Sequence, residues 1–169
     1  LLLRVGSLIE EKKLSIAQEH ILSTCLRDFL GGIYQSLAPY DFANKSQSKG
    51  VLLTTREGDF HEFGILLAAI LCNLYRFRVY YLGPNMPVED IIHTCEQFKI
   101  HFMILGLTAL PKSRELISAG NFLEQLDGCI SKKIQFWVGG KIPVEIATPR
   151  KIIQIKDFKF LDNLLEINI

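Results

Sequence analysis

The chain has 169 residues, which suits one ordinary domain with a helical extension. Its 19 Lys and Arg against 18 Asp and Glu give a net charge of +1, which argues against a nucleic-acid or anionic-membrane surface along the whole chain. Hydrophobic residues make up 49%, so the chain is not disordered. The longest apolar run, 64–74, is far shorter than the roughly 20 residues that a membrane span needs. The sequence opens on Leu1 without a signal peptide, so we expect a fragment of a longer cytoplasmic protein.

The four cysteines lie too far apart in sequence for a Cys-x-x-Cys site, and three of them fall inside apolar helical patterns. We therefore expect them to be buried free thiols, as is usual in a reducing compartment.

Residues 1–38 are predicted to be part of a helical bundle. Ser15 and Gln18 form a capping box at the start of a helix over 15–37, and 1–13 resemble part of a preceding helix. Apolar residues then recur at helical spacing: Leu22, Leu26, Phe29, Leu30, Ile33 and Leu37. The segment 39–50 is polar and rich in small residues, which predicts a linker.

From residue 51 onward, short apolar runs alternate with segments of helical length. The pattern predicts strands over 51–55, 78–82, 102–108, 134–138 and 152–155, and helices over 60–75, 88–98, 112–126 and 158–165. Gly83-Pro84 and Gly139-Gly140 are expected to end the second and fourth strands. The predicted fold class of 51–169 is α/β: a Rossmann-like, flavodoxin-like, doubly wound parallel sheet of four or five strands, covered by helices on both faces.

Sheets of this kind bind ligands beyond the carboxyl ends of their strands. The segment after the first strand has neither the Gly-x-Gly-x-x-Gly fingerprint nor a Walker A loop, which disfavours both kinds of nucleotide site. A Gly-x-Ser-x-Gly elbow is absent, which disfavours an α/β-hydrolase. His61-Glu62 begins a zinc-protease motif, but Ile65 stands where the second His belongs.

The remaining candidate is the segment around His61. Asp59 lies two residues earlier, and a carboxylate there that accepts from one imidazole nitrogen would fix the tautomer and raise the basicity of the other nitrogen. Gly64 would let a large planar ligand or its tail approach the first helical turn. Taken alone, a His at this position is more often a loop residue that caps a helix than a ligand.

Three motifs follow successive strands: Asp59-x-His61-x-x-Gly64, Thr108-x-Leu110 and Gly139-Gly140. Together they resemble the cobalamin-binding domain of corrinoid methyltransferases and mutases, whose motifs are Asp-x-His-x-x-Gly, Ser-x-Leu and Gly-Gly. The resemblance covers 51–169 and departs from the family in the substitution of Thr for Ser, which keeps a hydroxyl. Each motif alone is weak, because a strand-end hydroxyl and a glycine turn are common.

The resemblance implies base-off, His-on binding, in which the cofactor's own benzimidazole leaves the cobalt and His61 becomes the lower axial ligand, with Asp59 behind it. Thr108 would hydrogen-bond the displaced benzimidazole in a deep slot, and Leu110 would pack nearby. Gly139-Gly140 would let the backbone come close to the tail. Because the corrin supplies four in-plane nitrogens, the protein need supply only one axial ligand.

A second resemblance lies in the predicted bundle helix. Ala17-Gln18-Glu19-His20, followed by Arg27 and Leu30, is similar to the bundle of cobalamin-dependent, MerR-type transcriptional regulators that sense light. There a Glu-His pair lies over the upper face of the corrin, which implies Glu19 and His20 as cofactor-binding residues. The alternative is a solvated Glu and a partly buried helix His.

The chain departs from those light sensors before this pair. Ile9 stands where they have a Trp that caps the upper axial group, and Glu10 stands where they have an alternative upper His ligand. Adenosyl recognition and capture of the cobalt after photolysis are therefore in doubt, and the upper ligand, adenosyl or methyl, stays open.

The leading hypothesis is a sensory and oligomerisation module of a transcriptional regulator that binds cobalamin and is not itself an enzyme. We expect a homo-oligomer that contacts DNA only through a domain upstream of Leu1 and does not contact a membrane. One alternative is a corrinoid carrier subunit in methyl transfer. The other is a domain that keeps the fold but binds only a protein partner.

Overall fold

The computed structural model describes residues 15–37, 48–108, 118–140, 148, 150 and 152–169. The described elements, in chain order, are α1 (Ile16–Leu37), β1 (Gly50–Arg56), α2 (Phe63–Leu74), β2 (Arg78–Met86), α3 (Val88–Gln97), β3 (Phe102–Leu107), α4 (Ala119–Cys129), β4 (Gln135–Gly140), β5 (Ile152–Ile155) and α5 (Phe158–Ile167). The five strands form one parallel sheet in the order β2-β1-β3-β4-β5. This is the flavodoxin-like order, so the predicted fold class is confirmed.

Helix α1 begins with the predicted capping box. The Gln18 amide donates to Ser15 Oγ at 3.2 Å, and the Ser15 amide donates to Gln18 Oε1 at 2.9 Å. These bonds satisfy two backbone donors that the first turn of a helix leaves unpaired.

Both faces of the sheet are buried, because alternate strand residues enter separate apolar clusters. Leu52 packs with Met103 in the cluster beneath α3 and α4. Leu53 packs with Ile104 and Trp137 in the cluster beneath α2 and α5. Trp137 is fully buried there.

The prediction that Gly83-Pro84 ends the second strand is wrong, since β2 continues to Met86. β2 is an edge strand, where proline costs no ladder hydrogen bond if its nitrogen faces away from the sheet. The extra length is absorbed by shifts in register, with Thr54 opposite Gly83 and Arg56 opposite Met86. Gly83 has a φ of 80°, which glycine adopts at little cost.

The prediction that Gly139-Gly140 terminates the fourth strand is also wrong. Both glycines belong to β4, where Gly139 pairs with Gly106 and Gly140 pairs with Leu107 of β3. The pairing continues because backbone amides and carbonyls, not side chains, make the ladder.

The helix predicted over 60–75 begins later, at Phe63, because the preceding residues form the loop described below. Of the helix predicted over 112–126, residues 112–117 lie outside the described residues, and α4 continues three residues further than predicted, to Cys129.

The prediction of buried thiols holds for Cys72 but is wrong for Cys25 and Cys129, which are exposed, while Cys95 is half-buried. All four are free. Helical periodicity alone does not tell which side of a helix a neighbouring element will cover.

Helix α1 packs on α2 next to the sheet. Leu30 of α1 is buried with Leu66 and Ile70 of α2, and this cluster is flanked by Leu26, Ile33, Tyr34, Leu37, Phe63, Leu67 and Tyr81. Within the described ranges, no helix combines the length and the hydropathy that crossing a bilayer requires.

Candidate functional site

The site is built around Asp59, in the loop between β1 and α2. Its carboxylate is fully buried and accepts three hydrogen bonds. Two come from His61: the amide donates to Oδ1 at 3.0 Å and the ring Nδ1 at 2.7 Å. The third comes from the amide of Thr108, at the end of β3, which donates to Oδ2 at 2.9 Å. One buried carboxylate therefore joins the ends of two adjacent strands.

The same contacts define the chemical state of His61. Because a carboxylate only accepts, Nδ1 carries the proton and the lone pair lies on Nε2. The side chain of His61 is 65% exposed although its partner Asp59 is 0% exposed. The arrangement is an imidazole held from behind with one nitrogen available as a ligand.

The end of β2 fixes the loop from the other side. The Gly58 amide donates to Asn85 Oδ1 at 2.8 Å, and the Asn85 amide donates to the Asp59 carbonyl at 3.0 Å. Asn85 has a φ of 61°, a left-handed conformation that Asn tolerates better than most residues. The loop that carries His61 is thus tied to β2 and β3, which limits its freedom before any ligand arrives.

A cavity of about 820 Å³ opens beyond the carboxyl ends of the strands. This volume falls toward the upper end of the roughly 300–1,000 Å³ range of small-molecule sites. Most of the predicted site residues line it together: Glu19, His20, His61, Gly64, Thr108, Gly139 and Gly140. Leu110 lies outside the described residues. Asp59 does not line the cavity because it lies behind His61.

The two glycines of β4 have different structural reasons to be glycine. A Cβ at Gly140 would lie 2.1 Å from the Leu107 carbonyl oxygen, and Gly140 has a φ of 98°, so the backbone itself excludes a side chain. Among the described residues, none has an atom within 4 Å of a Cβ placed at Gly139, and Gly139 lines the cavity. The backbone conformation therefore requires glycine at 140, whereas at Gly139 the described residues leave room at the cavity wall.

Helix α1 supplies part of the cavity wall, with polar residues at helical spacing: Glu19, His20, Ser23, Thr24 and Arg27. Ser23 Oγ donates to Glu19 Oε1 at 2.5 Å, and His20 Nε2 lies 3.9 Å from Glu19 Oε2. His20 is 75% exposed, so the alternative of a partly buried helix His is wrong for this residue. Exposure at the cavity wall leaves both side chains able to meet a ligand.

Several residues in or next to the cavity wall were not among the predicted site residues. Glu62 follows His61 directly, and its carboxylate pairs with Arg27. Lys156 and Phe158 line the cavity from the segment where α5 begins. Arg56 does not line the cavity, but it is buried and donates from Nη2 to the carbonyl of the lining residue Thr108 at 3.3 Å. A signal was present for Arg27, which lies two helical turns after His20 on the same face.

Solved structures with a similar fold include corrinoid and cobalamin-binding proteins. The monomethylamine corrinoid protein of Methanosarcina barkeri superposes with a TM-score of 0.66 at 18% identity, covering 96% of this chain and 76% of that one. A cobalamin-binding protein of Desulfitobacterium hafniense gives a TM-score of 0.52 at 17% identity, covering 97% and 74%. At such identities the likeness establishes the fold alone.

Two curated proteins of Myxococcus xanthus are similar in sequence. The HTH-type transcriptional repressor CarH is 31% identical over 140 residues, which is 83% of this chain and 44% of CarH. The HTH-type transcriptional repressor CarA is 27% identical over 106 residues, or 63% of this chain and 35% of CarA. The chain thus spans less than half the length of either relative.

A protein-family model describes the part of the chain that contains the whole sheet. It is the B12 binding domain model, and it matches residues 49–158, more than half of the sequence. The match includes the buried Asp59 and three residues that line the cavity, His61, Gly139 and Gly140. The chain belongs to the family of B12-binding domains, which implies cobalamin as its ligand.

Proposed function

We propose that this chain is the cobalamin-binding sensory and oligomerisation module of a transcriptional regulator, with His61 as the lower axial ligand in a base-off, His-on complex. The observation that carries the axial assignment is the 2.7 Å contact between His61 Nδ1 and the buried Asp59 carboxylate. It leaves Nε2, on an exposed ring at the cavity wall, as the ligating atom.

The cavity residues fit a corrinoid with a displaced tail. A single imidazole suits a metal that a macrocycle already surrounds, because only an axial position is left for the protein. The described residues leave room beside Gly139 for the tail of the cofactor. Thr108, which also lines the cavity, offers the tail a hydroxyl group. Gly64 adds room at the first turn of α2, since a Cβ there would meet no atom of the described part of the chain within 4 Å.

When bound, the cofactor supplies a cobalt centre whose upper axial position exchanges ligands. The chain's own residues bind and orient it. Asp59 accepts hydrogen bonds from both the His61 ring and the Thr108 amide. It therefore fixes the position of the axial ligand relative to the residue proposed to contact the cofactor's tail. Glu19 and His20 of α1 also line the cavity and are proposed to meet the upper ligand. This placement makes α1 the element that responds to which ligand is bound.

A regulatory role is favoured by the similarity to CarH and CarA, both described as HTH-type transcriptional repressors. The net charge of +1 argues against a nucleic-acid surface along the whole chain. We therefore place DNA binding in a separate domain of the proposed regulator and assign homo-oligomerisation to this chain, without enzymatic activity of its own. A switch of this kind requires the ligand to bind two arrangements of the module with different affinity.

The alternative is a corrinoid carrier subunit for methyl transfer. It is favoured by Ile9 and Glu10, which replace the two upper-face residues of the light sensors. A carrier must expose its upper face to partner enzymes, whereas a sensor must couple that face to assembly.

The axial assignment can be tested by electron paramagnetic resonance of the chain reconstituted with cobalamin and reduced to the Co(II) state. Protein labelled with ¹⁵N-histidine is compared with unlabelled protein. Coordination by His61 predicts that the nitrogen splitting of the cobalt signal changes from a triplet to a doublet, because ¹⁴N has spin 1 and ¹⁵N has spin 1/2. An unchanged triplet would mean that the cofactor's own base stays bound and would overturn the assignment.

His61→Ala is the matched variant, and His93→Ala, on the exposed face of α3, is its control. We expect the label-dependent splitting to disappear in His61→Ala and to persist in His93→Ala. If wild-type protein retains no corrinoid after gel filtration, the cofactor-binding proposal itself fails and the protein-partner alternative takes its place.

The oligomeric state distinguishes the regulator hypothesis from the carrier hypothesis. Light scattering of the chain with hydroxocobalamin, methylcobalamin and adenosylcobalamin, in the dark and after illumination, should give a mass that depends on the upper ligand if the module is a sensor. Because Ile9 replaces the capping Trp, we expect a weak or absent response to light itself. A mass that is the same for every cobalamin, together with methyl transfer to a partner enzyme, would favour the carrier.

A further inference from the structure

An ion pair joins α1 to the segment that carries the proposed axial ligand. Arg27 Nε donates to Glu62 Oε1, across 35 residues of sequence, and Glu62 is the residue directly after His61. The Glu62 side chain is 13% exposed, while that of Arg27 is 50% exposed. The carboxylate is therefore largely removed from water, and its charge is compensated by a residue of another element.

Glu62 also occupies the N-cap position of α2, where an acidic side chain normally accepts from the first free amides of the helix. Here its side chain makes no capping hydrogen bond, and the residue has a helical backbone, with φ −83° and ψ −27°. Within α2, Glu62 thus contributes only its backbone carbonyl, which accepts from the Leu66 amide at 2.9 Å. The side chain is committed to α1 instead.

The ion pair borders the apolar contact between α1 and α2. Phe63 and Leu66 follow Glu62 and belong to the cluster that includes Leu30 of α1. Tyr81 of β2 packs against this cluster with its ring centroid 5.6 Å from that of Tyr34. Burial, and next the charge of Glu62, raise the pKa of Tyr81 to about 12, in keeping with the proximity of this phenol to the Glu62 carboxylate.

Arg27 and Glu62 both line the cavity, together with His61. We propose that Arg27 is a positioning residue and that its ion pair with Glu62 is a latch coupling the docking of α1 to the position of the His61 segment, and hence to cavity occupancy. The occupancy half of this proposal rests on the proposed cobalamin function. The latch itself concerns only the contact between α1 and the sheet domain.

The coupling follows from linkage. A ligand that draws His61 toward the cavity changes the position of Glu62, its neighbour in the chain, and thereby the free energy of the contact with α1. By reciprocity, an α1 that has moved away weakens the binding of that ligand. Coupling of this kind requires the contact between Arg27 and Glu62 to have two arrangements, formed and broken, whose balance both sites bias.

The test is hydrogen–deuterium exchange of the amides of α1, measured in the full chain with and without hydroxocobalamin. In wild type we expect the cofactor to slow exchange in α1 by at least about threefold. In Arg27→Gln we expect faster exchange without cofactor and little further slowing with it. Gln and Arg have similar helix propensities, so a change in exchange reports the lost ion pair.

Three further variants separate a latch from a merely structural contact. Arg27→Lys and the charge swap R27E/E62R should restore much of the wild-type slowing, whereas R27E alone should abolish it. Lys159→Gln removes one positive charge from an exposed position of α5 and serves as the control, with exchange in α1 as in wild type. The ¹⁵N-histidine signature should persist in Arg27→Gln, because the proposed ligand itself is untouched.

The outcomes distinguish this proposal from the one on which it rests. If wild type binds no corrinoid, the proposed function fails and the occupancy coupling falls with it, while the cofactor-free comparison of Arg27→Gln still decides whether the latch holds α1. If wild type binds with His61 coordination but Arg27→Gln matches it in exchange with and without cofactor, the latch is overturned and the proposed function stands.

Discussion

The polar side chains at the two ends of the sheet differ in how fully they are hydrogen-bonded within the protein. At the amino end, His101 Nδ1 accepts from the Gly50 amide at 2.8 Å, and the His101 amide donates to the Gly50 carbonyl at 2.8 Å. At the carboxyl end, His61 is held by Asp59 through Nδ1 and exposes the rest of its ring at a large cavity. The Nδ1 lone pair of His101 is taken by a backbone amide, whereas His61 keeps its Nε2 lone pair available for a ligand.

Arg150 extends the contrast at the amino end. It donates to Asp127 Oδ1 at 2.7 Å and to the carbonyls of Ile130 and Ser131 at 3.0 and 2.9 Å, and it also donates to the Ile134 carbonyl. Burial opposes ionisation of Asp127, but hydrogen bonds from Lys132, Thr148 and Arg150 outweigh it and lower the pKa to about 2. Groups whose partners are complete stabilise the fold, and groups left incomplete are those that bind ligands.

Arg150→Ala is the sharpest test of this contrast between polar groups that stabilise the fold and polar groups that bind ligands. It leaves buried carbonyls and the Asp127 carboxylate with fewer donors. We expect a loss of about 3 kcal/mol in the free energy of unfolding, because the buried Asp127 carboxylate loses its buried cationic partner and the carbonyls of Ile130, Ser131 and Ile134 lose a donor. Urea denaturation measures it. Lys132→Ala removes the exposed partner of the same carboxylate and should cost at most about 1 kcal/mol. Equal losses in the two variants would contradict the role assigned to burial.

Asp59→Ala tests a residue that we expect to contribute both to the stability of the fold and to cobalamin binding. It leaves the amides of His61 and Thr108 without their acceptor, which should cost roughly 1–3 kcal/mol of stability. It also frees the imidazole, so we expect cobalamin affinity to fall about 10–100-fold, as for other residues that orient a metal-binding His. Spectroscopic titration and urea denaturation report the two effects. A stability loss with unchanged affinity would show that Asp59 only holds the loop.

The adjacent glycines of β4 allow a structural role, at Gly140, and a binding role, at Gly139, to be compared within one strand. Gly140→Ala should destabilise the fold by about 2 kcal/mol, because φ is positive and the new Cβ would meet the Leu107 carbonyl. Gly139→Ala should leave stability nearly unchanged, since its Cβ enters open space, and Gly139→Val should weaken cobalamin binding. Thermal unfolding and spectroscopic titration compare them. A stable Gly140→Ala would mean that the backbone relaxes there at no cost.

The smallest expected effect is the pH dependence at His101. Its pKa is lowered from the usual 6.5, first by burial and then by Lys99 and Lys49, so the unfolded chain binds the proton more readily than the folded one. His101 therefore contributes stability that is fully present above about pH 6.5 and is lost as the pH falls below that value. Urea denaturation at pH 7.5 and 5.5 should show a smaller loss in His101→Gln than in wild type. An equal loss in both would place the dependence in other groups.

Much of this organisation was predictable because it is local. The capping box of Ser15 and Gln18 needs only three residues of separation, and it forms as predicted. The alternation of apolar runs and helical segments predicted the parallel sheet, because buried strands between helices have few other arrangements. Three motifs after successive strands predicted that His61, Thr108 and Gly139 would meet, since parallel strands bring their carboxyl ends to one edge.

Other features depend on partners that lie far apart in sequence. Gly83-Pro84 carries a local stop signal, yet β2 passes through it because the sheet places this strand at its edge. Glu62 resembles a helix cap, but its side chain pairs with Arg27, which α1 brings near by packing on α2.

The sequence by itself therefore determined the order of the elements, the fold class and the identity of the residues around His61. Periodicity, capping and motif spacing are properties of short segments, so they can be recognised without knowing the tertiary contacts. Only the tertiary structure decided which polar groups find complete partners and which face the cavity. That outcome depends on desolvation and on contacts between distant segments, which no short stretch of sequence contains.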